Sequence, residues 1–566
     1  MKMKILIVGG VAGGASAAAK LRRFSEEDQI IMFERGPHVS FSNCALPYHL
    51  SGIVDPASRL VLMNPEKFMK QYGIEARVNE EVVEIDRTNK KVKVRKGLTG
   101  ETYEESYDKL ILSPGAKSNK PNIPGSETIP LFTVRNVVDI HQIKTYIVEN
   151  NLTQMTVVGG GYIGIEVAEN LREAGYGVTL IESTPQILRT FDEEMVQIFH
   201  KELCDKGIKL LLGNQIEGFE KNQVKLSNGE KIYTEMVIMA AGVSPESKLA
   251  EKAGLEISSN GSIKVNDNFQ TNDPDIYAVG DAIEVNHLLT GGKIRLTLAG
   301  PAQKAARAVA GHINGETVKK QAYMGSSAIK VFDYNGAATG LTEGFIKAQK
   351  LDIQYDKVHF IMGDKVGLMP ESHPMHFKLI YEIPTGKILG AQAIGKGAVD
   401  KRIDVIATAI KFGATVYDLT ELEFCYAPPF GTAKDIVNYA GFIACNVLEG
   451  RFKQITVDKV RELVEKGAYI LDVREQVEYE RGHIKGAHLI PLSQLRTRIN
   501  EIPKDEPVYI HCRSGQRSYN AVLALQNLGY TDVFNITGSF LALSFYEYFK
   551  DQTDGRESIL TNYNFN

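Results

Sequence analysis

Short runs of apolar residues punctuate this chain, and what ends each run follows a rule. "KILIVGGVAGGASAAAKLRR", from Lys4, and "MTVVGGGYIGIEVAENLREAG", from Met155, both open on an unbroken apolar run, turn through glycines and continue into helix formers. A run without alternation predicts a strand covered on both faces, as in a parallel sheet. Each is followed by a second such strand that ends in an acid: "IIMFERG" with Glu34 and "GVTLIES" with Glu182. Strand, glycine turn, helix, strand and terminal acid is the pattern of a dinucleotide-binding unit. Its repetition predicts two dinucleotides on one chain.

The first unit reads as interrupted. "YDKLILSPGA" (107–116) supplies a late strand, and "DPDIYAVGDA" (273–282) returns to the same unit after the second has ended. The expected domains are 1–115 with 271–324, then 116–270, then a mixed domain over 325–446. A linker near 447–457 leads to a small domain over 455–550, where "AYILDVRE", "HLIPL", "PVYIHC" and "DVFNI" alternate with helical stretches. The fold class is therefore α/β: two Rossmann-like dinucleotide-binding domains, an α+β domain and a C-terminal α/β domain.

Composition removes several classes of function. The 566 residues, 43% apolar and 24% charged, are those of an ordinary soluble protein. A net charge of −4 gives no basis for binding nucleic acid or an anionic membrane. No apolar stretch reaches the roughly 18 residues of a membrane helix, and the opening run leads into a glycine turn instead of a cleavage site. Five cysteines without a C-x-x-C pair make neither a disulfide framework nor a metal site. A reducing cytoplasm is the expected compartment.

In "GGVAGG", Gly9 makes the tight turn and Gly14 lets helix and strand approach, while Val11 stands where the usual middle glycine would be. Pyrophosphate is expected over the amides of the helix start, with Glu34 accepting ribose hydroxyls. "GGGYIG" carries the full spacing in Gly159, Gly161 and Gly164. Glu182 suits an adenosine 2′-hydroxyl and repels a 2′-phosphate, which predicts NADH over NADPH; nearby Arg189 is the residue that would favour the phosphate. Gly280–Asp281 closes another apolar strand. With "LSPGA" and the paired glycine turns, residues 1 to about 445 resemble the pyridine nucleotide–disulfide oxidoreductases, flavoproteins that bind FAD and NAD(P)H. The resemblance implies that Asp281 holds the flavin ribityl chain and that Tyr162 covers the flavin and swings away for nicotinamide.

"VSFSNCALPYHL" holds one cysteine, Cys44, and His49 stands where a second redox cysteine would be. One thiolate suffices to open a sulfur–sulfur bond. It attacks one sulfur, releases the other half as a thiol and keeps the first half as a mixed disulfide, which two electrons then cleave. "SFSNCALPY" is similar to the active-site segment SFxNCxLPY of the coenzyme A–disulfide reductases. The same neighbourhood occurs in single-cysteine NADH oxidases and peroxidases, where the thiol cycles through sulfenic acid. A sulfur carrier or redox sensor with a structural flavin is a third alternative. Ser40, Phe41, Ser42 and Asn43 are expected to line the approach to Cys44. Arg22, Arg23 and Lys67 are candidates for the coenzyme A phosphates, and the resemblance favours Arg22 and Lys67. Cys204, Cys425 and Cys445 are expected to be inert and buried.

"FCYAPPFGTAKD" (424–435) resembles the YAPPY segment of that family's dimerisation domain. The resemblance implies a homodimer in which Tyr426 reaches the partner subunit's active site as a proton donor. The second aromatic is Phe430, which cannot donate. "GLMPES" puts Leu368, Met369 and Pro370 where relatives carry YYPG. Both departures argue for a sulfur substrate other than a conventional coenzyme A disulfide.

Near the C-terminus, "HCRSGQRS" places Cys512 and Arg517 at the two ends of a six-residue loop after an apolar strand. Successive amides of such a loop form an anion nest, and Arg517 adds charge that favours a sulfur anion. With "LDVRE" and "GHIKGAHLIP" upstream, residues 455–550 resemble a rhodanese domain; phosphatases with a related cradle use a longer loop. Asp472 and Arg474 read as structural. The whole chain is similar to fused coenzyme A–disulfide reductase/rhodanese proteins, NADH-dependent reductases of persulfide or polysulfide. That implies FAD, NADH and coenzyme A as cofactors, small sulfur compounds as substrates and no metal.

Overall fold

The computed structural model describes residues 2–565, which form two compact units. One unit comprises the chain up to Pro185 together with Leu211–Tyr323; the other comprises Gln186–Leu210 and the chain from Met324 onward.

In the first unit, five parallel strands lie in the order Ile276–Ala278, Lys109–Leu112, Lys4–Val8, Gln29–Glu34, Glu75–Val78. The register sets Val8 beside Phe33 on one side and Leu112 on the other, with Ala278 beside Leu112. Gly9, Glu34, Ser113 and Gly280 therefore gather at one carboxyl edge. There the strand order departs in both directions from Lys4–Val8, the switch point at which open α/β sheets bind ligands. A second sheet repeats the arrangement. Gln154–Val158 runs parallel between Gly177–Glu182 and Met236–Met239, and Leu131–Thr133 follows.

Two small antiparallel sheets had no counterpart in the sequence reading. Glu80–Asp86, Lys91–Lys96 and Thr102–Ser106 form one; Ile216–Glu220, Gln223–Leu226 and Lys231–Tyr233 form the other. Their strands are mostly solvated: Lys91–Lys96 buries only Val92 and Val94. A continuous apolar run never develops.

The second unit contains an antiparallel sheet in the order Ser327–Val331, Tyr334–Gly340, Ile388–Gly395, Pro374–Glu382, Tyr355–Gly363. It also contains a parallel sheet in the order Lys453–Ile455, Val533–Ile536, Val508–His511, Tyr469–Asp472, His488–Leu489. The expected linker is short, because strand Lys453–Ile455 begins soon after helix Ile436–Leu448. The C-terminal domain docks on the antiparallel sheet: Gly538 donates its amide to His359 O at 3.1 Å, and Gln454 Nε2 donates to Lys357 O at 2.6 Å.

Helix Glu193–Asp205, which follows the acid-terminated strand of the second dinucleotide unit in sequence, belongs to this second unit. Its attachment is a buried ion cluster. Lys378 is fully buried, with Asp192 Oδ2 at 2.8 Å, Glu343 Oε1 at 2.6 Å and Glu194 beside them. Burial alone would strip the ammonium of its proton; Glu194, Asp192 and Glu343 outweigh that and hold it charged. The helix also packs on Ser539–Asp554, with the His200 ring 4.8 Å from that of Phe549.

Candidate active sites

At the carboxyl edge of the first sheet lies a cleft lined by Gly9, Val11, Glu34, Asn43, Ser113 and Arg135 among others. Gly9 has φ +96°, and a Cβ there would lie 2.0 Å from Ser113 O; one on Gly14 would lie 1.8 Å from Gly9 O. Only glycine fits either position. Val11 starts helix Ala12–Arg22 without a side-chain cap or an acid in the first turn, which leaves that helix start open to an anion. Glu34 accepts the amides of Gly10 and Gly36, each at 3.0 Å, and so is aimed at the turn. Asp281 Oδ2 lies 3.3 Å from Arg135 Nη2, which brings the returning strand's acid to the same edge. Asn43 Oδ1 is buried and has no partner. An open helix start, a glycine cradle, a terminal acid and an orphaned acceptor together fit a dinucleotide such as FAD.

The second glycine turn behaves alike. A Cβ on Gly164 would lie 1.8 Å from Gly159 O, and one on Gly159 2.4 Å from Ala240 O, whereas a Cβ on Gly161 meets nothing within 4 Å. The space above Gly161 is the kind a dinucleotide backbone fills. Glu182 accepts the amides of Gly160 at 2.6 Å and Thr184 at 2.8 Å. Tyr162, half-buried, opens helix Tyr162–Glu173.

The segment with Cys44 is tied to the first glycine turn. Ser40, in the left-handed region with φ +47°, donates its amide to Gly10 O at 2.8 Å. Cys44 then falls in the short 3-10 turn Asn43–Ala45 and is exposed. Its thiol is pushed up, first by burial around it and then by the carboxylates of Glu166 and Asp281. Glu166 is itself raised to about 7 by burial and by Glu169. Burial, and then the carboxylates of Glu166 and Glu169, raise Tyr48. Glu166, Glu169 and Tyr48 were not singled out in the sequence, although Tyr162, Glu166 and Glu169 recur at helical spacing on one face. His49 is buried, with Nδ1 2.8 Å from Val54 O, and takes no place beside Cys44 as a redox partner.

Arg22 corrects an expectation. It is buried, and its guanidinium donates to the carbonyls of Ser25, Asp28, Tyr72 and Gly73. Those bonds staple helix Ala12–Arg22 to the end of helix Pro65–Tyr72, so Arg22 does not present itself to a phosphate. Lys67, near the start of Pro65–Tyr72, is exposed. Cys204 and Cys425 are exposed, against expectation, and Cys445 is buried.

In the second unit, Tyr426 is 49% exposed, Phe430 76% and Leu368 91%, a set of large side chains without cover. Cys512 directly follows strand Val508–His511 and is buried. Gly515 donates its amide to Sγ at 3.1 Å, and Ser518 Oγ lies 3.5 Å from Sγ. Arg517 acts on Cys512 but is clamped by Glu478 at 2.6 and 2.7 Å. Glu478 went unnoticed in the sequence; its one visible mark was a capping position three residues after Glu475. Asp472 and Arg474 are both buried and paired at 2.6 Å, as a structural role requires.

The two glycine turns, their acids and the cysteine beside the first turn define a two-dinucleotide redox protein. Residues 3–306 match the family described as pyridine nucleotide-disulphide oxidoreductase, 326–435 its dimerisation domain, and 456–544 the rhodanese-like domain. The chain is 37% identical over 442 residues to a coenzyme A disulfide reductase of Staphylococcus aureus, covering 78% of this chain and 99% of that protein. The structure of reduced CoADR-RHD from Bacillus anthracis superposes with a TM-score of 0.93 at 44% identity, over 96% of this chain and 98% of the other. An NAD-dependent persulfide reductase from A. fulgidus gives a TM-score of 0.90 at 32% identity, over 96% and 100%. The chain belongs to the pyridine nucleotide-disulphide oxidoreductase family and is an FAD- and NAD(H)-binding oxidoreductase with a fused rhodanese domain. Among the described residues, no helix is long and apolar enough to cross a membrane.

Proposed function

We propose that this protein uses NADH to reduce the sulfur–sulfur bond of coenzyme A persulfide, polysulfide or coenzyme A disulfide through Cys44 alone, while Cys512 carries sulfane sulfur. The carrying observation is the exposed thiol of Cys44 on a segment bound to the first glycine turn, with buried His49 where a second cysteine would be needed. Bound FAD supplies the two electrons that NADH delivers as hydride.

The chain's own residues do the rest. Gly9, Gly14, Glu34 and Asp281 hold FAD; Gly159, Gly161, Gly164 and Glu182 hold NADH, with Glu182 selecting against a 2′-phosphate. Tyr162 closes over the flavin. Ser40, Asn43 and Lys67 guide coenzyme A to Cys44. The Cys44 thiolate attacks the inner sulfur of coenzyme A persulfide, and hydrosulfide leaves with the bonding electron pair. The remaining mixed disulfide takes up two electrons and a proton, returning Cys44 as thiolate and coenzyme A as thiol. Tyr426 of the partner subunit in a homodimer supplies a proton to a leaving sulfur.

Similarity to named coenzyme A disulfide and persulfide reductases supports this reading, as does the fused rhodanese domain. The test is sulfide release from coenzyme A persulfide under anaerobic NADH. Cys44→Ser should abolish it while NADH still bleaches the flavin; retained sulfide release would reject Cys44 as nucleophile. Oxygen or peroxide turnover exceeding sulfur turnover would favour an oxidase.

A further inference from the structure

Two loops of the second unit meet at one arginine. The first, "CYAPPFGTAKD" (425–435), carries Tyr426 and Phe430; the second, 364–373, carries Leu368. Asp364 closes the second loop on itself, its amide on His373 O at 2.9 Å and its Oδ1 accepting the His373 amide at 2.8 Å. The loops are joined by the Val366 amide on Gly431 O at 3.1 Å. At the joint lies Arg402, from helix Val399–Lys411. Its Nη2 donates to Asp364 O and to Phe430 O, each at 3.2 Å, one carbonyl from each loop. The same nitrogen stands 3.3 Å from Oδ2 of buried Asp435, whose Oδ1 accepts the Val437 amide at the start of helix Ile436–Leu448. Lys401, one position earlier, is left to solvent beside Asp400 and Asp404, its side chain 70% exposed against 13% for Arg402.

We propose that Arg402 is a positioning residue of the sulfur-reducing reaction: by tying Phe430 O to Asp364 O it holds Tyr426 in the place from which it donates a proton at Cys44 of the partner subunit. This rests on the reading of Tyr426 as that donor. The chain between the two residues is stiff. Pro428 and Pro429 fix φ at two successive positions. The amides of Phe430 and Gly431 both close on Ala427 O, at 2.9 and 3.3 Å. Tyr426 directly precedes this turn, so fastening Phe430 O fastens Tyr426. A tyrosine on a free loop would lose conformational entropy each time it was brought to a leaving sulfur; one on a pinned turn has already lost it. A guanidinium serves two carbonyls and a carboxylate at once because its donors are spread over a rigid plane, whereas an ammonium is a single point of charge.

The test measures sulfide release from coenzyme A persulfide under anaerobic NADH for Arg402→Lys, Tyr426→Phe and the double variant, each as full-length protein loaded with FAD. Arg402→Lys keeps a cation beside Asp435 and loses the fork. Its kcat should fall by about tenfold, part of the roughly hundredfold loss that a 1 Å misplacement brings. KM should stay unchanged, since a proton given to a leaving group acts only in the transition state. Flavin reduction by NADH, which Tyr426 does not serve, should keep the parent rate and shows that the fold is intact. The double variant should be no slower than Tyr426→Phe. Losses that multiply in the double variant would overturn the proposal, as would Arg402→Lys at the parent rate while Tyr426→Phe is slow. An Arg402→Lys protein that light scattering finds monomeric beside a dimeric parent would overturn it too, because the arginine would then hold the interface and not the tyrosine. Tyr426→Phe at the parent rate would instead reject the donor reading, and the proposal with it.

Discussion

The amide of Ser40 donates to the carbonyl of Gly10 at 2.8 Å, joining the segment that carries Cys44 to the turn beneath the first dinucleotide site. Ser40 holds this bond in the left-handed region. Proline there has no amide proton and requires φ near −65°. Ser40→Pro should therefore misplace Cys44 without removing the glycine turn. The expected result is sulfur-acceptor turnover reduced by about a hundredfold, the order of loss a 1 Å misplacement produces, with flavin bleaching by NADH retained. Stopped-flow absorbance and sulfide assays check the two halves.

Lys378 should be hard to remove. Lys378→Met leaves Asp192, Glu194 and Glu343 facing one another in the interior without their cation. Breaking a buried pair in this way costs about 3–5 kcal/mol. Chemical denaturation of the variant should show that loss. A variant as stable as the parent would mean that the carboxylates find protons or water at no cost.

Buried histidines, among them His200, His359 and His376, set an acid limit on the second unit. Burial lowers His200 and His376 to about 3, and burial and neighbouring His376 and Lys378 carry His359 well below the ordinary value. A histidine depressed on folding binds fewer protons folded than unfolded. Its contribution is present above the unfolded value near 6.5 and is lost as pH falls toward 3. Between pH 7 and 5.5 the loss should be about 1 kcal/mol per histidine. His376→Gln should flatten the slope of stability against pH over that window, measured by urea denaturation.

Glu166 works in the opposite sense. Its folded value is raised to about 7 by burial and Glu169, so the folded protein binds the extra proton and loses stability as pH rises from about 4.5 to 7. Glu166→Gln removes that penalty. The stability difference between variant and parent should increase by on the order of 2–3 kcal/mol from pH 5 to pH 8. Because Glu166 also pushes the Cys44 thiol up, the variant should alkylate faster at Cys44 near neutral pH.

What could be read from the sequence was whatever leaves a local mark. Strands buried on both faces appear as unbroken apolar runs, and Gly9 and Gly159 mark turns that admit no side chain. The Cys512–Arg517 loop carries its spacing openly. Arg22 left no such mark, since an arginine spent on four backbone carbonyls has the same letter as one facing solvent. The destination of helix Glu193–Asp205 was hidden for a different reason. It depends on Lys378, nearly two hundred positions away.

Helix Ser539–Asp554 begins at the sulfur loop and ends among the side chains of Glu193–Asp205, while Gly538 is fastened to the antiparallel sheet. The rhodanese module is thus moored to its neighbour and does not dangle as a bead on a string. A change that loosened Gly538 or Phe549 would therefore disturb the cysteine loop and the seat of helix Glu193–Asp205 together.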